Sequence, residues 1–366
     1  MKKAEAIIIT AVFSLLLVVG LVGTLISDKP DFSEWENREL AEFPEASVDS
    51  VLSGKFGQEF EGWLTDRFVA RDFWVKLKRA SDSALGIKES NGVVVGNNAL
   101  FDIPDKASEK AVEKNISAIN AFQKKTSLPT SIILVPSTAT VFYEDAPSLF
   151  PSNDEEALVE NIYSRLDNVT AVDTLPVLRA MTLDEAFYKT DHHWTSKGAA
   201  AVYSAWRNIE NTFELEEVAE DFYGTLTSRS GDISIKADTV EKITSGDAFV
   251  SCKVFDGVNT TEYPSMYFDS YLGLKDKYSY FLGTNQPMVT LETANGTGRV
   301  LLMLKDSFAH SFVQCASEDF DKVILVDLRY LTSPLDTLLD LDEVTDVLFL
   351  YSLENFTTQD NMMWIK

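Results

Sequence analysis

The chain opens on an unbroken apolar run from Ala6 to Ile26 with no polar stripe. That pattern predicts a helix long enough to cross a bilayer, and the missing polar face separates it from the core helix of a globular domain. Lys2 and Lys3 precede the run, which predicts an N-inside orientation and places the rest of the chain outside the cytoplasm. Neither a small-x-small cleavage site nor a lipobox cysteine follows, so an uncleaved signal-anchor over residues 1–28 is expected rather than a secreted product. The polar stretch from Lys29 to Glu45, with Trp35-Glu-Asn-Arg inside it, reads as a linker out of the membrane. Phe56, Phe60, Trp63, Leu64, Phe68, Phe73 and Leu77 then recur at helical intervals. Asp66-Arg67 and Arg71-Asp72 interrupt the series, so two helices with a break between them are predicted within an extension over residues 29–85.

From residue 86 to the end the pattern is that of a layered α/β domain. Asn91 to Phe101 reads as a β-hairpin turning at Gly96-Asn97-Asn98, and it lacks the spacing of a phosphate-binding loop. Val112, Ile116, Ile119 and Phe122 form one helical stripe between Ser108 and Lys125. Ser131-Ile-Ile-Leu-Val135 is a continuous apolar run typical of a buried parallel strand. Ser152-x-x-Glu155 reads as a capping box opening a helix with Leu158, Ile162 and Leu166. Thr170 to Asp173 is a further strand, and a short helical turn follows at Val177 and Leu178. Between about Glu217 and Thr293 aromatic and β-branched residues alternate with Gly, Asp and Asn turns, which predicts a mostly β insertion. Its Phe281 to Pro287 segment is a polar loop in apolar surroundings. Buried strands resume at Val300-Leu-Leu-Met-Leu304, Val323 to Leu328 and Val347 to Tyr351.

A net charge of -25 argues against nucleic acid or anionic lipid headgroups as partners, since both call for basic patches. Cys252 and Cys315 have no metal-type spacing and are either free and buried or one disulfide.

Chemistry concentrates in Tyr188-Lys-Thr-Asp-His-His-Trp-Thr-Ser-Lys-Gly198, which holds two of the chain's three histidines. Asp191 precedes His193 by two positions, and in an extended segment such residues project to one side. A carboxylate so placed holds an imidazole in one tautomer, as a base requires. Thr195 or Ser196 is the expected N-cap of a helix that follows. Ser307, directly after the Val300–Leu304 strand, sits on a predicted strand-to-helix turn that exposes a hydroxyl; an N-cap is its plainer role. The base must be His192, His193 or His310. A metal site of Asp191, His192, His193 and His310 is disfavoured because adjacent histidines in an extended segment point to opposite faces. No metal and no cofactor is expected.

Thr190-Asp-His-His-Trp-Thr-Ser-Lys-Gly198, followed downstream by Lys305-Asp-Ser-Phe-Ala309, resembles the DHHW proteins, within the alginate O-acetyltransferase-like branch of the SGNH hydrolase superfamily. Asp66-Arg67-Phe68 with Arg71, Gly92 to Phe101, Val135-Pro136 and Val326 to Tyr330 extend the likeness. The resemblance implies a flavodoxin-like SGNH parallel sheet flanked by helices, over residues 86–366, with the β-rich insertion at about 217–293 and the Asp-His pair preceding the serine. It implies Asp191 as orienter, His193 as base and Ser307 as nucleophile. Asn285, Arg329, Tyr351 and His192 become candidates for substrate or oxyanion contacts. It further implies acetyl transfer to a secreted or cell-surface polysaccharide, with a membrane-bound O-acyltransferase as partner and acyl donor. An acetyl esterase of the same fold and a catalytically silent scaffold in an exopolysaccharide complex are the alternatives. Lys305 stands where many SGNH serines are preceded by Gly-Asp-Ser.

Overall fold

In the computed structural model the N-terminal apolar run is a single helix, α1 (Lys3–Ile26), exposed along most of its length. The structure describes residues 3–26, 31–33, 38–147, 150, 154–244 and 248–365. Much of the expected linker around Trp35, and Ser152 of the expected capping box, lie outside them. The chain divides into two units, Met1–Ser90 and Asn91–Lys366.

Within the first unit the interrupted helical pattern yields α2 (Lys55–Asp66) and α3 (Arg71–Ala84). The break falls at Arg67 to Ala70, where Ala70 takes a positive φ of 53°. Phe43, Phe56, Phe60 and Trp63 form a ladder of ring contacts along α2.

The second unit begins with the hairpin β1 (Val93–Val95) and β2 (Leu100–Asp102), paired antiparallel with Val94 opposite Phe101. Helix α4 (Glu109–Thr126) follows, capped by Ser108, whose hydroxyl accepts the Ala111 N–H. Next come β3 (Thr130–Val135), α5 (Glu155–Tyr163) and β4 (Val169–Val172). Asp154 is the N-cap of α5, and the helix stops at Tyr163, short of Leu166. Helix α6 (Ser196–Arg207) is capped by Thr195. Beyond it lie, among shorter turns of helix, β5 (Leu215–Phe222), α7 (Thr225–Ser230), β6 (Asp238–Ile243), β7 (Phe249–Phe255), β8 (Thr260–Tyr263), β9 (Met288–Thr293), β10 (Val300–Lys305), α8 (Ala309–Ala316), β11 (Lys322–Val326), β12 (Asp346–Ser352) and α9 (Leu353–Thr358).

Among the described residues, eight strands form one sheet in the order β8-β7-β9-β11-β10-β12-β3-β4. The five from β11 to β4 are parallel. Counted from β10, their order is 2-1-3-4-5, that of a flavodoxin-like sheet; in this chain β3 and β4 come first in sequence. The circular shift explains why Asp191 and His193 precede Ser307. The expected β insertion is not separate from the core: β9, β7 and β8 extend the same sheet antiparallel beyond β11, while β5 and β6 pair apart from it.

Strand residues alternate between two apolar layers, as the pleat dictates. Ile133, Leu301, Met303, Leu348 and Leu350 face a layer with Val202 and Tyr203 of α6 and Phe312 of α8. Ile132, Leu134, Leu302, Leu304 and Phe349 face the other, with Val112, Ile116, Ile119 and Phe122 of α4. Burial on both faces accounts for the continuous apolar runs in the sequence. Cys252 and Cys315 are both buried and free.

Candidate active site

The site lies at the carboxyl end of β10 and β12, where the chain leaving β10 runs to β11 on one side while β12 lies on the other. Open α/β sheets bind ligands at such a switch point. The turn after β10 is fixed by Asp306, which is fully buried. Its Oδ1 accepts the Phe308 N–H at 3.0 Å. Its Oδ2 accepts the Ser352 N–H, the Ser352 hydroxyl and the Asn355 amide, each at 2.8 Å. A buried carboxylate needs such donors, and these tie the turn to the end of β12. Ser307 projects from that turn. The N-cap position of α8 is Phe308, so the Ser307 side chain is not the cap.

Asp191, His192 and His193 lie on a bend rather than an extended strand. Asp191 Oδ1 accepts the His193 backbone N–H at 3.0 Å, a local turn that brings the imidazole back onto the same oxygen. His193 Nδ1 is 2.6 Å from Asp191 Oδ1, and His193 Nε2 is 2.7 Å from Ser307 Oγ. The expected pairing is present, through a turn instead of strand alternation. Asp191 Oδ2 accepts the Thr225 N–H at 2.7 Å. Burial opposes the charge on Asp191, but His192, His193 and the Thr225 N–H outweigh it and hold the carboxyl well below its ordinary range. An ionised Asp191 can only accept, so Nδ1 carries the imidazole proton and Nε2 is left to accept from Ser307.

Two glycines and a tryptophan make this approach possible. A Cβ on Gly224, just before α7, would stand 2.3 Å from Asp191 Cβ, so only glycine lets the chain reach the carboxylate. Gly198 passes Ala186 O as closely. Trp194, fully buried, donates its indole N–H to Phe308 O at 2.9 Å and joins the two loops.

Tyr278 was not among the residues singled out from sequence. Its ring stacks on the His193 imidazole, centroids 3.8 Å apart and planes 9° apart. Its hydroxyl donates to Ser307 O at 2.9 Å. Burial pushes the phenol pKa up, so it remains a donor.

Of the other histidines, His310 is buried, 2.9 Å from Lys305 Nζ, and burial followed by the Lys305 charge pushes its pKa well down. His192 is half-buried, its ring centroid 3.9 Å from that of His193 and its Nδ1 3.6 Å from Asp191 Oδ1. The two adjacent histidines therefore turn toward the same carboxylate, against the expectation of opposite faces; Asp191, His192 and His193 bring ligand atoms within 4.8 Å of one another. The inner pair of this group is already hydrogen-bonded to itself.

Ser307, His192 and Arg329 line a cavity of about 260 Å³, together with Thr225, Ser352 and Asn355. Arg329 is held by Asp327 through contacts of 2.8 and 2.6 Å. Lys305 lies buried 3.6 Å from the same carboxylate. Asn285 and Tyr351 are not among the lining residues; Asn285 Oδ1 and the Tyr351 hydroxyl are buried without a hydrogen-bond partner among the described residues.

A family model described as "SGNH hydrolase-like domain, acetyltransferase AlgX" matches residues 101–240. That match spans less than half of the chain and is a likeness to that domain. The chain is 27% identical over 191 residues to the probable alginate O-acetylase AlgJ of Azotobacter vinelandii, a match covering 49% of this chain and 48% of that protein. The chain thus spans about half the length of the curated relatives it matches. The fold is shared with a DHHW family protein from Eubacterium siraeum, at a TM-score of 0.66 and 23% identity, covering 75% of this chain and 95% of the other. Bacillus cereus PatB1 shares it at a TM-score of 0.63 and 19% identity, covering 74% and 98%.

Proposed function

We propose that this protein transfers acetyl groups to a polysaccharide outside the cytoplasm, through an acyl-enzyme on Ser307. The observation that carries the reading is the continuous chain from Ser307 Oγ through His193 to Asp191, at 2.7 and 2.6 Å. Ser307 Oγ attacks the acetyl carbonyl while its proton passes to His193 Nε2, and Asp191 stabilises the imidazolium. The tetrahedral adduct collapses, and His193 returns the proton to the departing donor group. A sugar hydroxyl then gives its proton to His193 and attacks the acyl-serine; as the second adduct collapses, His193 passes that proton to Ser307 Oγ and the sugar leaves as the acetyl ester. Arg329 and His192, which share the cavity with Ser307, are the proposed contacts for substrate.

The likeness to a probable alginate O-acetylase supports polysaccharide as the acceptor class. Helix α1 is long and apolar enough to cross a membrane, and the lysines before it favour a domain outside the cytoplasm. A membrane-bound O-acyltransferase passing acetyl groups outward fits that placement as the donor partner. Water in place of the sugar hydroxyl would make the same site an esterase, since only the last acceptor differs.

Acetyl release and acetyl transfer, measured with an activated acetyl ester and an oligosaccharide acceptor, test the proposal against Ser307→Ala. Turnover is expected in the wild type and absent in the variant. Equal turnover in both removes Ser307 as nucleophile.

A further inference from the structure

The first unit carries a surface that catalysis leaves unexplained. Helix α1, at 24 residues, is about 36 Å long, enough for a hydrocarbon core of about 30 Å. Its last turns do not stand alone. Thr24 Oγ1 accepts the Val69 N–H at 3.1 Å. A Cβ on Gly20 would meet Phe68 at 3.2 Å, and one on Gly23 would meet Val69 at 3.0 Å. Gly20 precedes the end of α1 by six residues, or about 9 Å along the axis. The turn between α2 and α3 is therefore packed at the depth of the last two turns of the span.

From that turn α3 presents Phe73, Trp74, Leu77 and, just beyond its end, Leu85 to the outside, with Phe73 58% and Leu85 77% exposed. At about 100° per residue these four fall within an arc of about 120°. The charge of the segment is equally out of character. Arg67 to Lys88 carries six basic and two acidic residues in a chain of -25; Arg67 and Arg79 are buried, and Lys76 and Lys78 are the exposed cations that flank the arc on α3. Aromatic and aliphatic residues on one side, with basic residues beside them, are what a helix needs to lie between acyl chains and anionic headgroups.

We propose that α3, with the turn that precedes it, lies in the interface of the membrane that α1 spans, its apolar arc among the acyl chains. The surface then fixes the first unit against the bilayer at two places instead of one. This inference rests on α1 as a span and is independent of the chemistry at Ser307.

Full-length protein in phosphatidylcholine–phosphatidylglycerol vesicles, bearing one nitroxide at a time on Leu16→Cys, Phe73→Cys, Leu77→Cys or Lys76→Cys, tests it. Buried Cys252 and Cys315 stay unlabelled in the native fold, and each substituted side chain is exposed, so folding is preserved. Labels at 73 and 77 are expected to collide with oxygen several-fold more often than with a water-soluble nickel chelate, as the label at 16 does, and the label at 76 to show the reverse. Nickel access at 77 equal to that at 76 overturns the proposal. So does a label at 77 shielded from both quenchers, which means a protein partner covers the arc. A label at 16 open to nickel overturns it through its premise, the span itself.

Discussion

The Tyr278 ring lies flat on the His193 imidazole at 3.8 Å, while its hydroxyl holds the Ser307 carbonyl. One side chain thus restrains both groups of the proposed proton transfer. Tyr278→Phe keeps the stack and loses the hydroxyl's bonds to Ser307 O and Ser311 Oγ, of which the first bears on the nucleophile, so a fall in kcat of roughly five-fold is expected, equivalent to about 1 kcal/mol. Tyr278→Leu loses both restraints and is expected to lower kcat by about 10²-fold, with KM less affected. Steady-state kinetics of the two variants check the order. Equal losses would show that the stack contributes nothing.

Gly224 is expected to tolerate no side chain. A Cβ there meets Asp191 Oδ2 at 2.4 Å as well as its Cβ, so Gly224→Ala must displace the carboxylate or the start of α7. Misplacement by about 1 Å costs on the order of 10²-fold in rate. Acetyl turnover beside a circular dichroism spectrum separates this from unfolding: the spectrum is expected to remain native while turnover falls.

His310 sets a pH dependence of stability. Burial, then the Lys305 charge, holds its folded pKa well below the ordinary value of about 6.5. Below about pH 6.5 the unfolded chain therefore binds a proton that the folded chain refuses. The sign follows: stability is complete above that pH and falls as pH is lowered toward the folded pKa, by up to about 1.4 kcal/mol per pH unit. Denaturant midpoints between pH 7.5 and 5 are expected to decline, and less steeply in His310→Gln.

Lys305 departs from the glycine of many SGNH serine motifs, and its surroundings account for it. The ammonium is buried between His310 Nε2 and Asp327 Oδ2, at 2.9 and 3.6 Å, and Asp327 also holds Arg329 beside the cavity. In Lys305→Met, Asp327 keeps Arg329, so the loss of stability is expected near 1–3 kcal/mol. Labelling of Ser307 by a serine-directed phosphonate is expected to persist. Chemical denaturation and intact-mass labelling read the two effects apart.

Much of this was legible in the sequence because it is written locally. The runs at Ser131 to Val135 and Val300 to Leu304 are apolar on both faces because α4 covers one layer and α6 with α8 the other. Thr195 caps its helix and the hairpin at Val93 to Asp102 forms as its pattern requires. What escaped depends on contacts between distant segments. Gly224 and Thr225 looked like part of a β region, and only their packing on Asp191 reveals the short helix there. Tyr278 is one aromatic among many until the fold lays it on His193. The joining of β9, β7 and β8 to the central sheet left no mark in local periodicity, since an antiparallel extension alternates like a separate sheet.

The central claim is that Ser307 becomes covalently acetylated with His193 as its base. Peptide mass spectrometry after brief exposure to an activated acetyl ester measures this directly. One acetyl group on Ser307 is expected in the wild type, lost in Ser307→Ala and strongly reduced in His193→Ala. An acetyl group found elsewhere in the wild type, or acetylation of Ser307 undiminished without His193, would contradict it.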